Sequence, residues 1–434
     1  MFGYSMVQMV RTHAHKLDRH LREEVLNLYK PFTWTPCFLH KHFEGFLKWG
    51  RKMSVIIEFE EGCFEKGCHQ VSEVMKQYSR NSMKRSLSSM SCHSADVTPN
   101  GLEGILSSCH HVKKVYLNRE VKALLDVAVP AANAKNIKRN NTVLTGEGVT
   151  IAIIDTGIYP HKDLGDRIKG FVDLVNNDPD PYDDNGHGTH CAGDAAANGP
   201  YAGPAPGAHL IGVKVLDKLG SGSLDTVMEG VDWCINYNAG NPPEKIDIIS
   251  MSLGSTAQPG EDLMVKAVEK AWAAGIVVVV AAGNEGPNYG TIASPGISQK
   301  VITVGALDDK NTVDRGDDDV ASFSSRGAKD VKDELNKPDI LAPGVNIISL
   351  RSPNSYLDKL QKSARVDNDY FVLSGTSMAT PICAGICALI KQRVPGATPQ
   401  QVKDLLKNNT DLWKDRENAI YGEGYINADR SIPE

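Results

Sequence analysis

Apolar segments alternating with helical stretches dominate the later two thirds of this 434-residue chain. The strand-like segments are VTIAII from Val149, LIGVKVL from Leu210, IDIISMSL from Ile246, GIVVVVAAGN from Gly275, VITVGAL from Val301 and ILAPGVNIIS from Ile340. Near-continuous apolar strands are typical of a sheet that is buried on both faces, because a half-exposed strand would alternate. The pattern therefore predicts an α/β fold with a doubly wound, mostly parallel sheet covered by helices.

Four polar residues lie where such a sheet collects its working side chains, at the carboxyl ends of strands and in the loops that follow. Asp155 ends the first of these strands, and Asn284 ends IVVVVAAGN. His187 lies in NGHGTHCAG, and Ser377 lies in SGTSMATP. Each also has a structural reading, as a turn former, a helix cap or a histidine without a chemical role.

Ser377 follows Gly375 and precedes a helix-like run of small and apolar residues, MATPICAGICALI. A serine on the first turn of a helix lies beside free backbone N–H groups and the positive end of the helix dipole. Those groups can hold an oxyanion that forms next to the serine oxygen. An N-capping serine would have the same sequence, so the interpretation depends on a base, an orienting acid and a second oxyanion donor.

Five segments, DTGIYPHKDL, NGHGTHCAG, SMSLG, VVVAAGNEG and SGTSMATP, resemble the signature blocks of the subtilisin-like serine proteases, and the resemblance covers residues 127–430. Their order, Asp then His then Ser, is that of subtilisin. The resemblance implies a serine endopeptidase in which Ser377 is the nucleophile and His187 the general base. It implies Asp155 as the carboxylate that orients the imidazole and Asn284 as the side-chain donor of the oxyanion hole. Within the family, the chain resembles the cytoplasmic branch from bacilli.

The same resemblance implies which residues bind substrate. Gly220-Ser221-Gly222 and Ser252-Leu253-Gly254 match the two segments that pair with an extended peptide as added strands. Ala281-Ala282-Gly283 matches one wall of the main specificity pocket, with Ala293 near its base and Glu285 at its rim. A roomy, mostly apolar pocket implies a preference for large hydrophobic residues before the cut bond, with some tolerance of basic ones.

Residues 49–125 predict a small α+β unit ahead of the peptidase domain, which takes residues 126–434. SVIIEFEE indicates a strand, HQVSEVMKQYS a helix, KRSLSSMSCHSADV a second strand region, TPNGLEGILSS a helix and HVKKVYLNREVKAL one or two strands. This order suggests an open-faced sandwich. It resembles the family's prodomain, which implies that the chain carries its own inhibitor and cleaves itself near Leu125 or Asp126. Residues 1–48 predict a helical extension of unknown role.

Calcium is the metal that the sequence suggests, in a structural role, while the chemistry implies no cofactor. The resemblance places Asp163 at a carboxylate of the calcium site of secreted members, but the segment AANGPYAGPAPGAHL lacks the loop that supplies the other ligands. Two acidic loops, 173–184 and 308–319, are rich in oxygen atoms of the kind that calcium binds. The alternative is that both are solvated acidic loops.

Cys191 follows the second histidine of HGTHCAG and resembles the thiol-bearing members of the family. That resemblance implies inhibition by mercurials through distortion of His187. A small buried thiol is the structural alternative. Two charged inserts, 310–337 and 351–370, enlarge loops ahead of the serine block, and no role follows from their sequence.

Composition argues against several other classes of protein. The longest strongly apolar run is too short to cross a bilayer, the N-terminus lacks the apolar core of a secretory signal, and no basic stripe of nucleic-acid type occurs. Nine cysteines without a disulfide-like framework favour reduced thiols and a cytoplasmic location. A silent relative that binds peptides and an esterase with the same triad stay open. The unsubstituted triad and the peptide-pairing segments favour an active enzyme with polypeptide substrates.

Overall fold

A computed structural model describes residues 5–29, 51–118, 127–240, 244–257, 262–329, 337–411 and 416–434. The chain divides into two units, Met1–Ala123 and Leu124–Glu434. The predicted cleavage positions Leu125 and Asp126, and residues 30–48 of the predicted extension, lie outside the described residues.

The first unit is an antiparallel sheet with helices. Its elements are α1 (Ser5–Thr12), α2 (Arg19–Tyr29), β1 (Met53–Phe59), α3 (Phe64–Lys76), β2 (Ser82–Leu87), β3 (Cys92–Val97), α4 (Pro99–Ser108) and β4 (Val112–Leu117). The strand order is β2-β3-β1-β4, so the predicted second strand region is two paired strands. Alternate residues of β1 are buried, and its buried side chains share one core with apolar residues of α1 and α2.

The second unit contains the parallel sheet that the apolar strands predict. Its strands are β5 (Lys138–Arg139), β6 (Thr142–Val143), β7 (Thr150–Asp155), β8 (Ile168–Asp173), β9 (His209–Lys214), β10 (Ile246–Met251), β11 (Val277–Ala281), β12 (Ile302–Asp308), β13 (Asp319–Val320), β14 (Ile340–Pro343), β15 (Ile347–Leu350), β16 (Arg365–Val366) and β17 (Tyr370–Leu373). The main sheet has the order β13-β12-β11-β10-β7-β9-β8, and β14 also pairs with β12. In the part of the chain that the structure describes, the β12–β13 pairing is the one antiparallel pairing of this sheet, which confirms the predicted α/β class.

Helices cover this sheet. They are α5 (Ala128–Ala131), α6 (His187–Ala196), α7 (Leu224–Ala239), α8 (Leu263–Ala273), α9 (Tyr356–Leu360), α10 (Thr376–Arg393), α11 (Pro399–Asn408), α12 (Asn418–Tyr421) and α13 (Ala428–Ser431). The long helix α10 packs along β10, β11, β12 and β14 and against α6, while α7 and α8 pack against each other and against β7, β10 and β11. Nearly every residue of α10 is buried, so small side chains such as those of TSMATPICAG are required along it.

Within the described ranges, we find no helix with the length and apolar character needed to cross a membrane.

Candidate active site

Asp155 and His187 are in direct contact. Asp155 is the fully buried last residue of β7, and His187 is the first residue of α6. His187 Nδ1 lies 2.7 Å from Asp155 Oδ1, which also accepts a hydrogen bond from the Thr156 N–H at 2.8 Å. A carboxylate in this position keeps the proton on Nδ1 and leaves Nε2 free to act as a base.

Helix α6 approaches β7 this closely because glycines remove side chains from the contact. A Cβ atom on Gly188 would lie 2.2 Å from the carbonyl oxygen of Gly157 and 3.1 Å from the Cβ atom of Asp155. Gly157 itself has a φ angle of +124°, a conformation that favours glycine. Gly157 and Gly188 therefore allow the short distance between His187 and its carboxylate partner.

Asp183 fixes the first turn of α6. Its buried carboxylate accepts hydrogen bonds from Thr156 Oγ1 at 2.9 Å, the Gly186 N–H at 2.8 Å and Thr189 Oγ1 at 2.6 Å. Thr156 Oγ1 in turn accepts from the Gly188 N–H at 2.9 Å. The network joins the end of β7 to the start of α6 without solvent exposure, so it holds the histidine helix rigidly.

Ser377 lies on the first turn of α10, the position that its glycine-led sequence predicts. Its Oγ donates to the Ser252 carbonyl oxygen at 3.2 Å, and its own carbonyl oxygen accepts from Ser252 Oγ at 2.7 Å. Ser252 directly follows β10, so this pair ties the serine helix to the carboxyl edge of the sheet. The serine hydroxyl contacts Ser252 here, and catalytic hydrogen bonds are often loose in the absence of substrate.

Cys191 lies between the histidine and the serine backbone. Its Sγ is 3.8 Å from His187 Nδ1 and donates to the Ser377 carbonyl oxygen at 3.4 Å. Burial raises the pKa of this thiol to about 11, so it carries its proton at neutral pH. We searched the described residues for groups of three His, Cys, Asp or Glu side chains whose ligand atoms are close enough to hold one metal ion. The only such group there is Asp155, His187 and Cys191.

The charge state of His187 is set by opposing effects. Burial disfavours the imidazolium, but attraction to the Asp155 carboxylate and hydrogen bonds to Asp155 and Cys191 raise the pKa of His187 well above its ordinary value. His187 therefore loses its proton at a higher pH than a free histidine does.

Asn284 lies three residues beyond β11 and beside the serine helix. Its Oδ1 accepts hydrogen bonds from the Thr376 N–H at 2.9 Å and Thr376 Oγ1 at 3.1 Å. Thr376 Oγ1 also accepts from the Gly283 N–H at 3.2 Å. Because two donors hold the amide oxygen, the amide nitrogen is the group that can face a developing oxyanion.

A pocket of about 680 Å³ opens beside Ser377 and Asn284. The predicted pocket residues that line it are Ala281, Gly283, Glu285 and Ala293. Ala282, the residue that follows β11, does not line it, because its side chain is fully buried. Its carbonyl oxygen instead accepts from the Ala293 N–H at 2.9 Å, which positions Ala293 against the pocket.

A second pocket of about 590 Å³ adjoins the first on the side of His187. The Gly220-Ser221-Gly222 segment lines this pocket, and the Ser252-Leu253-Gly254 segment lines both. The two predicted peptide-pairing segments therefore face a common groove that passes the histidine and ends at the serine.

The carboxylates predicted to suit calcium have different surroundings. Asp163 is buried, and its Oδ2 accepts from the Tyr370 hydroxyl at 2.9 Å. In loop 173–184, Asp173 accepts from the Tyr182 hydroxyl at 2.7 Å and from backbone N–H groups, and Asp183 belongs to the network beneath α6. In loop 308–319, Asp318 is 4% exposed, and neither of its carboxylate oxygens has a hydrogen-bond partner among the described residues.

Sequence reasoning missed Thr376, Asp183 and Leu357. Thr376 binds the amide oxygen of Asn284, Asp183 supports the histidine helix, and Leu357 lines the groove from the 351–370 insert. The position of Thr376 directly before the serine could have drawn notice, whereas no local signal brings Leu357 to the groove.

Comparison with known proteins agrees with this geometry. Residues 146–424 match the model of the subtilase family. The chain is 63% identical, over the full length of both chains, to "Serine protease AprX" of Bacillus subtilis (strain 168). It is 38% identical over 307 residues to "Subtilisin Savinase" of Lederbergia lenta, covering 70% of this chain and 95% of that protein. The solved structure of sphericase matches with a TM-score of 0.58 at 30% identity, covering 70% of this chain and 99% of that one.

These findings confirm the predicted resemblance to the subtilisin-like serine proteases, and the full-length match to "Serine protease AprX" agrees with the predicted resemblance to a branch from bacilli. They also account for the mostly parallel α/β sheet, because the structural relatives are subtilisin-like proteinases. The chain therefore belongs to the subtilase family and is a serine endopeptidase.

Proposed function

We propose that Asp155, His187 and Ser377 act as the catalytic triad, with Asn284 in the oxyanion hole. Ser377 Oγ attacks the carbonyl carbon of the scissile peptide bond while His187 Nε2 takes the hydroxyl proton. The tetrahedral oxyanion is held by the Asn284 amide and the Ser377 N–H. His187 then donates the proton to the leaving amine, the C–N bond breaks, and water hydrolyses the acyl-enzyme.

The observation that carries this proposal is the 2.7 Å contact between His187 Nδ1 and Asp155 Oδ1. Ser377 lies at the same edge of the sheet, where its hydroxyl donates to the carbonyl oxygen of Ser252. We expect the purified full chain to hydrolyse casein, and a serine-directed inhibitor or Ser377→Ala to abolish that hydrolysis. Casein cleavage by Ser377→Ala would contradict the proposed roles. Hydrolysis of small esters without any cleavage of polypeptides would point to an esterase.

The proposed specificity is broad, with a preference for large hydrophobic residues immediately before the cut bond. The support is the volume of the pocket beside Ser377 and the small side chains that line it. Glu285 at the same pocket favours some tolerance of basic residues. A peptide library varied at this position tests the idea, and a strong preference for acidic residues there would contradict it.

Residues 49–125 are proposed to form an inhibitory prodomain that the enzyme cleaves near Leu125 or Asp126. The first unit supports this because it has its own antiparallel sheet and its own hydrophobic core. Intact-mass spectrometry of wild type and Ser377→Ala tests it. We expect wild type to be shortened and the variant to keep its full length, whereas identical N-termini in both would mean that another protease makes the cut.

Cys191 is proposed to make the enzyme sensitive to mercurials. A mercury atom bound to Cys191 Sγ would displace the two groups nearest to the sulfur atom. These are His187 Nδ1 at 3.8 Å and the Ser377 carbonyl oxygen at 3.4 Å. We expect Cys191→Ala to keep its activity and lose mercurial inhibition. Undiminished inhibition of that variant would assign the effect to another thiol.

The chemistry is proposed to need no cofactor, and a structural calcium ion is proposed for loop 308–319. The support is Asp318, a buried carboxylate whose oxygens have no hydrogen-bond partner in the described part of the chain. Oxygen atoms in such a setting suit a hard cation. Asp173 and Asp183 of loop 173–184 are poorer candidates for binding calcium, because their carboxylates already accept hydrogen bonds from donors of the protein.

A cytoplasmic location is also proposed, without a nucleic-acid or membrane partner. All eight cysteines that the structure describes have free thiols, as expected in a reducing compartment. Fractionation of the producing cells tests this location, and recovery of the enzyme mainly from the medium would contradict it.

A further inference from the structure

The insert at residues 351–370, here called the groove lobe, is bound to the loop that precedes the catalytic histidine. The backbone N–H of Tyr356 donates to the Asp184 carbonyl oxygen at 2.8 Å, and that of Leu357 donates to the Asn185 carbonyl oxygen at 2.9 Å. Ser352 Oγ donates to the Asp183 carbonyl oxygen at 2.6 Å. The groove lobe is therefore hydrogen-bonded to the backbone of residues 183–185, which directly precede Gly186 and His187.

Internal ion pairs hold the lobe in shape. Asp358, which is 2% exposed, accepts hydrogen bonds from Arg351 Nε at 2.6 Å and from Arg351 Nη2 at 2.9 Å. Arg365 Nε donates to the same carboxylate at 2.6 Å, and the Asn354 N–H donates at 2.9 Å. A buried carboxylate shared by two arginines fixes the short helix α9, and with it the direction of Leu357.

Leu357 is half-buried and lines the pocket that also contains His187, Leu216 and Leu219. This pocket shares the Ser252-Leu253-Gly254 segment with the pocket beside Ser377. Leu216 is buried and Leu219 is 57% exposed, so Leu357 shares this pocket with two other leucines.

A bound peptide would place successive side chains in the two pockets. An extended peptide that pairs as an added strand points neighbouring side chains in opposite directions. When the residue before the cut bond enters the pocket beside Ser377, the residue preceding it faces His187 and Leu357. We propose that Leu357 is a specificity-determining residue for this second position before the cut bond, and that the groove lobe is a built wall of the substrate groove.

This inference rests on the proposed function, because it uses the same peptide path past the triad. The test is a set of peptides with one constant residue before the cut bond and Gly, Val, Leu, Phe, Asp or Lys at the preceding position. We expect Leu357→Ala to reduce kcat/KM for the Leu peptide by about tenfold and to change the Gly peptide little. Leu357→Lys should shift the preference towards the Asp peptide, because it places a cation in the same wall.

Leu360→Ala is the matched control, since Leu360 is on the same helix, is 62% exposed and is not part of the pocket. Thermal melting of each variant reports whether the lobe is still folded, and Leu357→Met gives a volume-conserving variant that should keep the wild-type preference. Equal effects of Leu357→Ala on all six peptides, or none, would overturn the inference. Cleavage that persists in Ser377→Ala would instead overturn the proposed function.

Discussion

At the scale of single residues, Thr376 determines what the neighbouring Asn284 can do. Its N–H and hydroxyl both bind the amide oxygen, so the amide nitrogen has to face the pocket beside Ser377. An oxyanion donor is useful only when its direction is fixed before the reaction starts. The orientation of Asn284 therefore depends on a residue that itself has no part in bond breaking.

We predict that Asn284→Ala lowers kcat much more than it changes KM, because the lost hydrogen bond forms mainly in the transition state. Removal of the corresponding donor in subtilisin costs about 10²–10³ in kcat, and we expect a similar loss here. Steady-state kinetics on one peptide measure it, with the exposed Asn288→Ala as the control. A rise in KM with unchanged kcat would contradict the assignment.

The pH dependence of activity follows from the raised pKa of His187. An imidazolium cannot accept the serine proton, so kcat/KM should rise with pH as His187 loses its proton. Burial is the largest single effect on His187, but the Asp155 carboxylate and the hydrogen bonds to Asp155 and Cys191 together outweigh it, so the midpoint of that rise should lie above the ordinary value of 6.5. Asp155→Asn should move the midpoint down and reduce the rate, whereas a rise already complete in acid solution would contradict the prediction.

The residues of the site were predictable to the extent that local sequence determines their setting. Glycines on both sides of His187 mark close approaches of the backbone, and strand ends mark Asp155 and Asn284. The placement of Ala282 was not predictable, because the run of small residues at 281–283 does not reveal which of them is buried and which faces the pocket.

At the scale of elements, the groove lobe depends on the Asp358 carboxylate. Burial alone would raise the pKa of Asp358, but hydrogen bonds from Arg351, Asn354 and Arg365 lower it to about 2. A folded-state pKa below the ordinary 3.8 means that the stabilisation is complete above about pH 4 and is lost as the pH falls towards 2.

We therefore predict that Asp358→Asn lowers the free energy of unfolding near neutral pH and that the difference from the parent shrinks between pH 4 and pH 2. Denaturation curves in the inactive Ser377→Ala background measure this without self-digestion. Asp367→Asn, an exposed position of the same lobe, is the control. A difference that stays constant down to pH 2 would mean that the ion pairs do not stabilise the lobe.

For loop 308–319 we predict the opposite pH dependence, a loss of stability as the pH rises. Burial, together with neighbouring carboxylates, raises the pKa of Asp309 to about 7, and burial raises that of Asp318 to about 6. Folded-state values above 3.8 mean that this loop loses stability as the pH rises from about 4 to about 7, and a cation would offset that loss.

Calcium should therefore raise the melting temperature more at pH 8 than at pH 5, and a chelator should reverse the effect. Asp318→Asn should remove the calcium response, while the exposed Asp317→Asn should keep most of it. No shift at either pH, or an equal shift in both variants, would remove calcium from this loop.

The main sheet was predictable because β7 and β11 are buried along their whole length, and such strands have continuous apolar sequences. The β2–β3 pairing was harder to resolve, since SMKRSL is mostly exposed and carries little hydrophobic pattern. The groove lobe was not predictable, because its shape depends on bonds between Asp358 and distant arginines and on the backbone of residues 183–185.

At the scale of the whole molecule, the chain combines two folded units with different architectures. The first has an antiparallel sheet and the second a mostly parallel one, and each has a separate hydrophobic core. The 63% identity to the Bacillus subtilis protein extends over the entire chain, so the resemblance includes the first unit as well as the peptidase. A full-length comparison of wild type with Ser377→Ala is therefore the natural way to study both units together.

The exposed Leu360 of the groove lobe has a practical consequence for concentrated preparations of the enzyme. It is a large hydrophobic side chain, 62% exposed, on a five-residue helix, while nearly all the residues of α10, which carries Ser377, are buried. Copies of the molecule that meet one another should therefore nick the lobe after Leu360 before they damage the catalytic centre. Ageing stocks should accumulate that fragment pair, and Leu360→Asn should extend their storage life; intact lobes in inactive aged stocks would place the weak point elsewhere.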